Sequence, residues 1–243
     1  MLYNGLSEIY DRLMSDVDYD SWCYFIKNKC SIDNTSSVVD AACGTGNVSL
    51  RLAQIGARVV GIDNSSDMLQ IASTKARERG LNIAFATMDI SNMKLHKQVD
   101  VICCVCDGVN YLPGINNLES FFNSAYTILK DHGKLIFDIS SEYKLKNILG
   151  DNLFFEDYDD LTYFWQNQLG NGEEYIDMDL CFFIKNGSTY QRFDEQHRQY
   201  IYTEKQIIEL LKKCGFNNVC TYDNYNDQPV NDKTQRITFL AEK

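Results

Sequence analysis

Four carboxylates stand at or just beyond the ends of apolar runs in the first half of the chain. Asp40 follows Val38-Val39, Asp63 follows Val59-Val60-Gly61-Ile62, Asp89 comes after Ile83-Ala84-Phe85-Ala86-Thr87, and Asp107 follows Val99 to Cys106. Short Val-rich runs of this kind read as buried parallel strands, and open α/β sheets bind their ligands beyond the carboxyl ends of such strands. The first acid is followed by Gly44 and Gly46 and then by the apolar positions Val48, Leu50, Leu52, Ala53 and Ile55 of a predicted helix. Glycine tolerates positive φ and lets a ligand approach the backbone closely, and a helix start offers free N–H groups. Such a turn serves ligands of opposite charge. A pyrophosphate is matched by G-x-G-x-x-G, but the third glycine position here holds Ser49. Asp40, directly ahead of the turn, would repel a pyrophosphate and suit an ammonium. The site reads as selective for a cationic ligand, with Asp63 spaced to meet a ribose diol.

The pattern D-x-x-C-G-T-G from Asp40 to Gly46, followed by Gly61-Ile62-Asp63-Asn64-Ser65-Ser66-Asp67-Met68-Leu69, closely resembles the first two motifs of class I S-adenosylmethionine-dependent methyltransferases. The resemblance runs motif by motif over residues 37–140 and more loosely over the remainder. It implies S-adenosyl-L-methionine as cofactor, bound by Asp40, Ala42, Gly44, Gly46, Asp63, Asn64, Met68, Asp89 and Ile90. In that reading Met68 flanks the adenine ring, Asp89 accepts its amino group and Ile90 helps to hold the ring. It also implies an N-terminal helical lid with aromatic rings near the methyl group, since a ring face attracts a sulfonium as it does other soft cations. Tyr3, Tyr10, Tyr19 and Trp22 are the lid candidates for the cofactor, with Tyr10 foremost. Tyr10 is also a catalytic candidate, because Tyr10-Asp11 stands where sugar N-methyltransferases carry a Tyr-Asp pair. Some of those enzymes have a further lid tyrosine where this chain has Met14, a departure that bears on a sugar-amine acceptor.

The acceptor side is expected at the loop Asp107-Gly108-Val109-Asn110-Tyr111-Leu112 and in the segment beyond residue 150. The loop lacks the D/N-P-P-Y pattern of methyltransferases acting on adenine or glutamine amides, and no Pro-Cys pair suggests a cytosine nucleophile. Methyl transfer from a sulfonium is an in-line displacement, so alignment and exclusion of water supply much of the acceleration. An amine acceptor needs only to arrive unprotonated, whereas a hydroxyl benefits from a base. His197, Asp107 and Tyr10 are the candidates for that work. His96 and His132 fall in polar connecting segments.

Net charge is −11 with a pI near 4.7, a field that disfavours nucleic acid and favours a small-molecule substrate. Nine cysteines, an odd number lying mostly in apolar runs, read as small hydrophobes with no disulfide framework and no metal site. No run approaches the roughly 18 apolar residues of a membrane span, and the acidic first 20 residues do not read as a signal peptide. A cytoplasmic monomer or homodimer is expected.

The predicted fold is a single α/β domain over 1–243, with a Rossmann-like methyltransferase sheet of order 3-2-1-4-5-7-6 whose last strand is antiparallel. Two amphipathic helices form a lid over 1–32, ahead of a cofactor-binding core over 33–150. Between 151 and 202 helical periodicity gives way to alternation, with Ile176, Met178, Leu180, Phe182 and Ile184 on one side. This predicts an antiparallel insertion of about three strands, rich in aromatic residues and acids. Thr203-Glu204-Lys205-Gln206 is a capping box opening a helix, and a closing strand pair ends the chain. An NAD(P)-dependent oxidoreductase and a non-catalytic S-adenosylmethionine-binding protein stand as alternatives.

Overall fold

The computed structural model describes residues 5–243. Among them, seven strands form one sheet in the order β3-β2-β1-β4-β5-β11-β10, and four more form a second, antiparallel sheet. The large sheet comprises β1 (Ser37–Ala41), β2 (Arg58–Asp63), β3 (Ala84–Thr87), β4 (Val99–Cys104), β5 (Leu129–Ser140), β10 (Asn217–Asp223) and β11 (Arg236–Glu242). The first five run parallel, and β11 lies antiparallel to both β5 and β10. This is the strand order read from the sequence.

Period-two alternation along the strands divides the core. Val38, Val59 and Val101 turn to the layer of α2 (Tyr19–Cys30) and α3 (Asn47–Gln54), where Trp22, Ile26 and Leu52 pack. Val39, Ile62 and Ile102 turn to the layer of α5 (Gly114–Ile128) and α6 (Glu204–Lys213), against Leu118, Phe121, Phe122 and Leu211. Both faces of the central strands β1 and β4 are buried, which is why they read as continuous apolar runs, whereas β3 at the edge, expected to be buried, has three of its four residues exposed. The capping box forms as expected, with Gln206 N donating to Thr203 Oγ1 and Thr203 N donating to Gln206 Oε1. Between β2 and β3, α4 (Ser66–Glu78) brings Ala72 beneath Gly46, where a Cβ on the glycine would sit 3.0 Å from that of Ala72.

The second sheet pairs β6 (Leu153–Asp157), β7 (Leu161–Leu169), β8 (Tyr175–Asn186) and β9 (Thr189–Tyr200) in that order. It has four strands where three were expected. Leu153-Phe154-Phe155 carries no alternation and all five residues of β6 are exposed, so hydrogen bonding to β7 defines it without any buried face. The alternation read in β8 is real: Ile176, Met178, Phe182 and Ile184 are buried. Phe182 and Ile184 pack with Ile9 and Leu161, whereas Ile176 and Met178 pack with Leu145 and Leu149. Those last two belong to a π-helical turn, Lys144–Leu149, that follows β5 and was not anticipated. At the N-terminus the described lid holds a 3₁₀ turn over Leu6–Glu8 and the short α1 (Tyr10–Leu13), in place of one helix over residues 3 to 14.

Gly61, in mid-β2, tests the packing of this sheet. A Cβ there would lie 2.5 Å from Phe85 Cδ1, with no help from unusual φ. Gly61→Ala is expected to lower stability by about 1–3 kcal/mol through overpacking, read by urea unfolding. Adding Phe85→Leu, which clears that space, is expected to recover part of the loss.

Candidate functional site

The carboxyl ends of β1, β2, β4 and β5 converge where the strand order reverses between β1 and β4, the position at which such sheets bind ligands. The turn after β1 is built from alternate left-handed residues, Ala42 (φ 54), Gly44 (φ 52) and Gly46 (φ 79). Non-glycine residues adopt this conformation at a cost, and the cost at Ala42 is carried by a close fit to the β4 loop. A Cβ on Gly108 would come within 2.9 Å of Ala42 Cβ. Above Gly44 the backbone is open: a Cβ there would meet only Tyr10 Cε1, at 3.9 Å, so the Tyr10 ring roofs the turn.

Asp63, at the end of β2, fixes the turn. Its Oδ2 accepts from Gly44 N and its Oδ1 from Ser65 N, both at 2.8 Å. Each oxygen keeps a lone pair free for a further donor. Asn64 is exposed beside it, and Met68 is half-buried with its N–H on Ser65 Oγ. Beyond β3, Asp89 is exposed and caps a 3₁₀ turn by accepting from Ser91 N, while Ile90 is buried next to it. Tyr3 lies outside the described residues.

Asp40, expected beside a cationic ligand, lies behind the turn instead. It is fully buried; its Oδ2 accepts from Ser49 Oγ at 2.6 Å, and Cys103 Sγ lies 3.7 Å from Oδ1. Burial pushes its carboxyl up to about 6, against the hydrogen bonds from Ser49 and Cys103 that pull it down. Its charge is met within the protein, because α3 turns Ser49 back onto β1.

The lid is tied down by Asp11, whose carboxylate accepts from Thr45 Oγ1 (2.6 Å), Asn47 Nδ2 (2.8 Å) and Lys75 Nζ (2.6 Å). Burial alone would raise its pKa, but the bonds from Lys75, Thr45 and Asn47 hold it below the ordinary aspartate value. One side chain of α1 thus joins the turn after β1, the start of α3 and the middle of α4. The sequence flagged Asp11 only as the neighbour of Tyr10.

A cavity of about 270 Å³ opens between the lid, the β4 loop and the antiparallel sheet. Tyr10, Asp107 and His197 all line it. Asp107 has left-handed φ (51°) and is held on every side: its N–H donates to Asp138 Oδ1 (2.9 Å), Oδ1 accepts from Arg236 (2.8 Å) and Oδ2 from Gln199 Nε2 (2.5 Å). Arg236, on β11, also binds Asp138 and so bridges the ends of β4 and β5. Burial alone would raise the Asp107 carboxyl; Arg236 and Lys144 more than offset it and keep the group below the usual aspartate range. A carboxylate so held is a weak base and a firm anchor. His197 is half-buried on β9 with its ring edge-on to Tyr111, centroids 5.9 Å apart. Burial lowers its pKa below the ordinary histidine value although Glu195 opposes the shift, so at neutral pH it is an uncharged imidazole able to accept a proton. Tyr10 is shifted the other way: burial, with Cys106, Tyr19 and Asp107 nearby, raises its phenol well above normal, so it stays protonated.

Lys144, Gln199 and Arg236 complete the cavity wall beside Trp165, one of the insertion's aromatic residues expected on the acceptor side, and sequence reading named none of those three as site residues. Lys144 opens the π-helical turn, a rare conformation that recurs at functional sites. A larger depression of about 450 Å³ sits at the opposite, amino-terminal edge of the parallel strands and includes none of the strand-end groups described above. Cys103-Cys104-Val105-Cys106 satisfies a C-x-x-C spacing, yet all nine cysteines are free and no group of three or more metal-ligating side chains occurs among the described residues. His132 is exposed, with Nδ1 3.2 Å from Glu242 Oε1, and His96 lies in an exposed loop. No helix of the described residues is long and apolar enough to cross a membrane.

The reversal point, the left-handed turn and the acid at the end of β2 define an α/β enzyme that binds a nucleoside cofactor beyond its strand ends. Comparison with known proteins narrows the class. Residues 38–133 match the family model described as "Methyltransferase domain". The Bacillus subtilis (strain 168) protein named "Putative methyltransferase YqeM" is 35% identical over 100% of this chain and 98% of its own. The crystal structure of an S-adenosylmethionine-dependent methyltransferase from Clostridium acetobutylicum ATCC 824 superposes with a TM-score of 0.90 at 37% identity, covering 99% of this chain and 98% of that one. A sugar N-methyltransferase from Streptoalloteichus sp ATCC 53650 shares the fold at TM-score 0.77 and 16% identity, covering 100% and 96%. The chain belongs to the S-adenosylmethionine-dependent methyltransferase family. Its cofactor is S-adenosylmethionine, and the oxidoreductase and non-catalytic alternatives fall away.

The Asp40–Ser49 pair yields a measurable pH dependence. The folded pKa of Asp40 lies above the unfolded one, so its contribution to stability is intact below about pH 4 and is lost as the pH rises through about 6. Ser49→Ala is expected to move the Asp40 midpoint upward in carbon-detected NMR. The same change should cost about 1–3 kcal/mol in urea unfolding near pH 7.5 and less near pH 4.5, where the carboxyl is largely protonated. An unmoved midpoint would contradict the assignment.

Proposed function

We propose that this enzyme methylates a nitrogen or oxygen nucleophile of a small molecule held between the turn after β1, the Asp107 loop and the antiparallel sheet. The observation that carries the reading is the cavity of about 270 Å³ lined by Tyr10, Asp107 and His197, which Tyr10 links to the turn by covering Gly44. Its volume suits a metabolite-sized acceptor, and the −11 net charge disfavours a nucleic-acid strand. Nine free cysteines fit the reducing cytoplasm.

The fit to the cofactor rests on open backbone above Gly44 and on the donor set around it. Ala42, Gly44 and Gly46 would lie along the amino-acid end, Asp63 would accept from both ribose hydroxyls, and Asn64, Met68, Asp89 and Ile90 would hold the adenine. The Tyr10 ring would face the sulfonium. When bound, S-adenosylmethionine supplies an electrophilic methyl group and leaves as a neutral thioether. The protein's own part is alignment and the handling of one proton. Asp11 holds the lid closed over the turn and excludes water. Asp107, kept ionised by Arg236, orients Gln199 in the cavity wall. His197, neutral at pH 7, takes the proton of a hydroxyl acceptor; an amine that arrives as the free base needs less help. Asp40 acts from behind, keeping the strand end and α3 in register through Ser49.

Two measurements test this. Asp63→Ala is expected to weaken S-adenosylhomocysteine binding in calorimetric titration by about 1–3 kcal/mol; wild-type affinity would remove Asp63 from the ribose. Labelled methyl groups from S-adenosylmethionine are expected to enter small amines, hydroxyl compounds or acids. Label recovered only in RNA or protein would overturn the small-molecule reading.

A further inference from the structure

The cavity wall holds more hydrogen-bonding capacity than the protein itself uses. Asp138 has Oδ1 on the Asp107 N–H and Oδ2 on Arg236, and Asp107 has one oxygen on Arg236 and the other on Gln199. Every oxygen of the two carboxylates therefore has a donor from within the chain. Lys144 is not matched in the same way. Its ammonium donates to Ser140 Oγ at 3.3 Å, and among the described residues no carboxylate lies within the 4.0 Å of an ion pair. An ammonium has three donors, so two remain for the cavity it lines.

Two further atoms in the same wall are buried without a partner. Trp165 Nε1 has no acceptor, and Gln199 Oε1 has no donor although Gln199 is only 4% exposed. Buried polar atoms left unpaired carry a desolvation cost and call for an explanation. Trp165 packs against the cluster that holds Leu145 and Leu149 of the turn that Lys144 opens, and both the indole and the lysine line the cavity. Two donors, one of them charged, together ask for an anion with two acceptor oxygens. Gln199 Oε1, buried and unpaired, asks for an N–H or O–H. Met178, Leu180 and Tyr163 supply apolar lining for the body of the molecule. A phosphate dianion would bring more charge than one ammonium neutralises, into a chain already at −11.

Resting on the acceptor cavity proposed above, we infer that the methyl acceptor is a small carboxylic acid. Its carboxylate is held by the Lys144 ammonium and the Trp165 indole N–H, and a hydroxyl or amine on the same molecule donates to Gln199 Oε1. The positive charge at Lys144 makes acids rather than amines the preferred class.

Matched probes test this on the full-length protein saturated with S-adenosylhomocysteine. Calorimetric titration with 4-aminobenzoate, its neutral twin 4-aminobenzamide and the cation 4-aminobenzylamine separates charge from shape. The carboxylate is expected to bind roughly tenfold or more tightly than the amide, as a charge-assisted hydrogen bond does over a neutral one. Lys144→Met should bring the two to parity, Lys144→Arg should keep most of the preference, and Trp165→Phe should weaken the carboxylate severalfold. S-adenosylhomocysteine affinity, read in each variant, shows that it is folded. Equal affinity of wild type for carboxylate and amide, tighter binding of the benzylamine, or a preference that survives Lys144→Met overturns the inference and leaves the cavity reading standing. Binding of none of the three probes by the loaded protein overturns both together.

Discussion

One carboxylate holds the cofactor half of this enzyme in shape. Asp63 ends β2, and by accepting the N–H groups of Gly44 and Ser65 it joins the turn after β1 to the start of α4. The turn needs such a brace because its residues alternate into the left-handed region, including Ala42, which has no glycine's freedom there. With the turn braced, α3 starts where Ser49 can reach back to Asp40, and Thr45 and Asn47 stand where Asp11 can bind both. The lid, the first two strands and two helices thus meet in one set of polar contacts at the end of the sheet.

The acceptor half is organised by a different charge. Arg236 reaches from the last strand to Asp107 and Asp138, and the geometry of the β4 loop follows from that bridge. The antiparallel sheet then supplies the roof with one face of β8 and β9, while its other residues meet solvent. Placing His197 and Gln199 on the same parity of β9 brings both to the cavity, two residues apart on one strand.

Most of the fold was legible because it rests on local periodicity: Val-rich strands, a capping box at Thr203 and alternation in β8 all appear over a few residues. Asp63 was legible for the same reason, its place fixed by the glycines before it. Asp40 was half legible. Its position at the strand end could be read, but its partner lies a helix turn into α3, and a sequence displays a charge without showing what neutralises it. Trp165 could be read only as one of many aromatic residues in the insertion, and Lys144, Gln199 and Arg236 were not legible as site residues at all. The four come from a π-helical turn, two strands of the insertion and the closing strand, and only tertiary packing brings them together. The first strand of the insertion escaped notice because Leu153-Phe154-Phe155 is exposed on both faces and so lacks the alternation that burial imposes.

The reach of Arg236 has a consequence for how the enzyme is made. The turn, its brace and the lid of the cofactor half are encoded within the first ninety or so residues, although β1 and β2 need β4, α5 and α6 to complete their packing. Asp107 and Asp138, by contrast, emerge long before the arginine that neutralises them, and until β11 inserts between β5 and β10 they are two adjacent acids in search of a cation. The acceptor wall is therefore finished only when the chain is almost complete. Synthesis from N to C terminus puts the methyl donor's site first and the recipient's site last, so an unfinished chain has no shaped cavity in which to spend a methyl group.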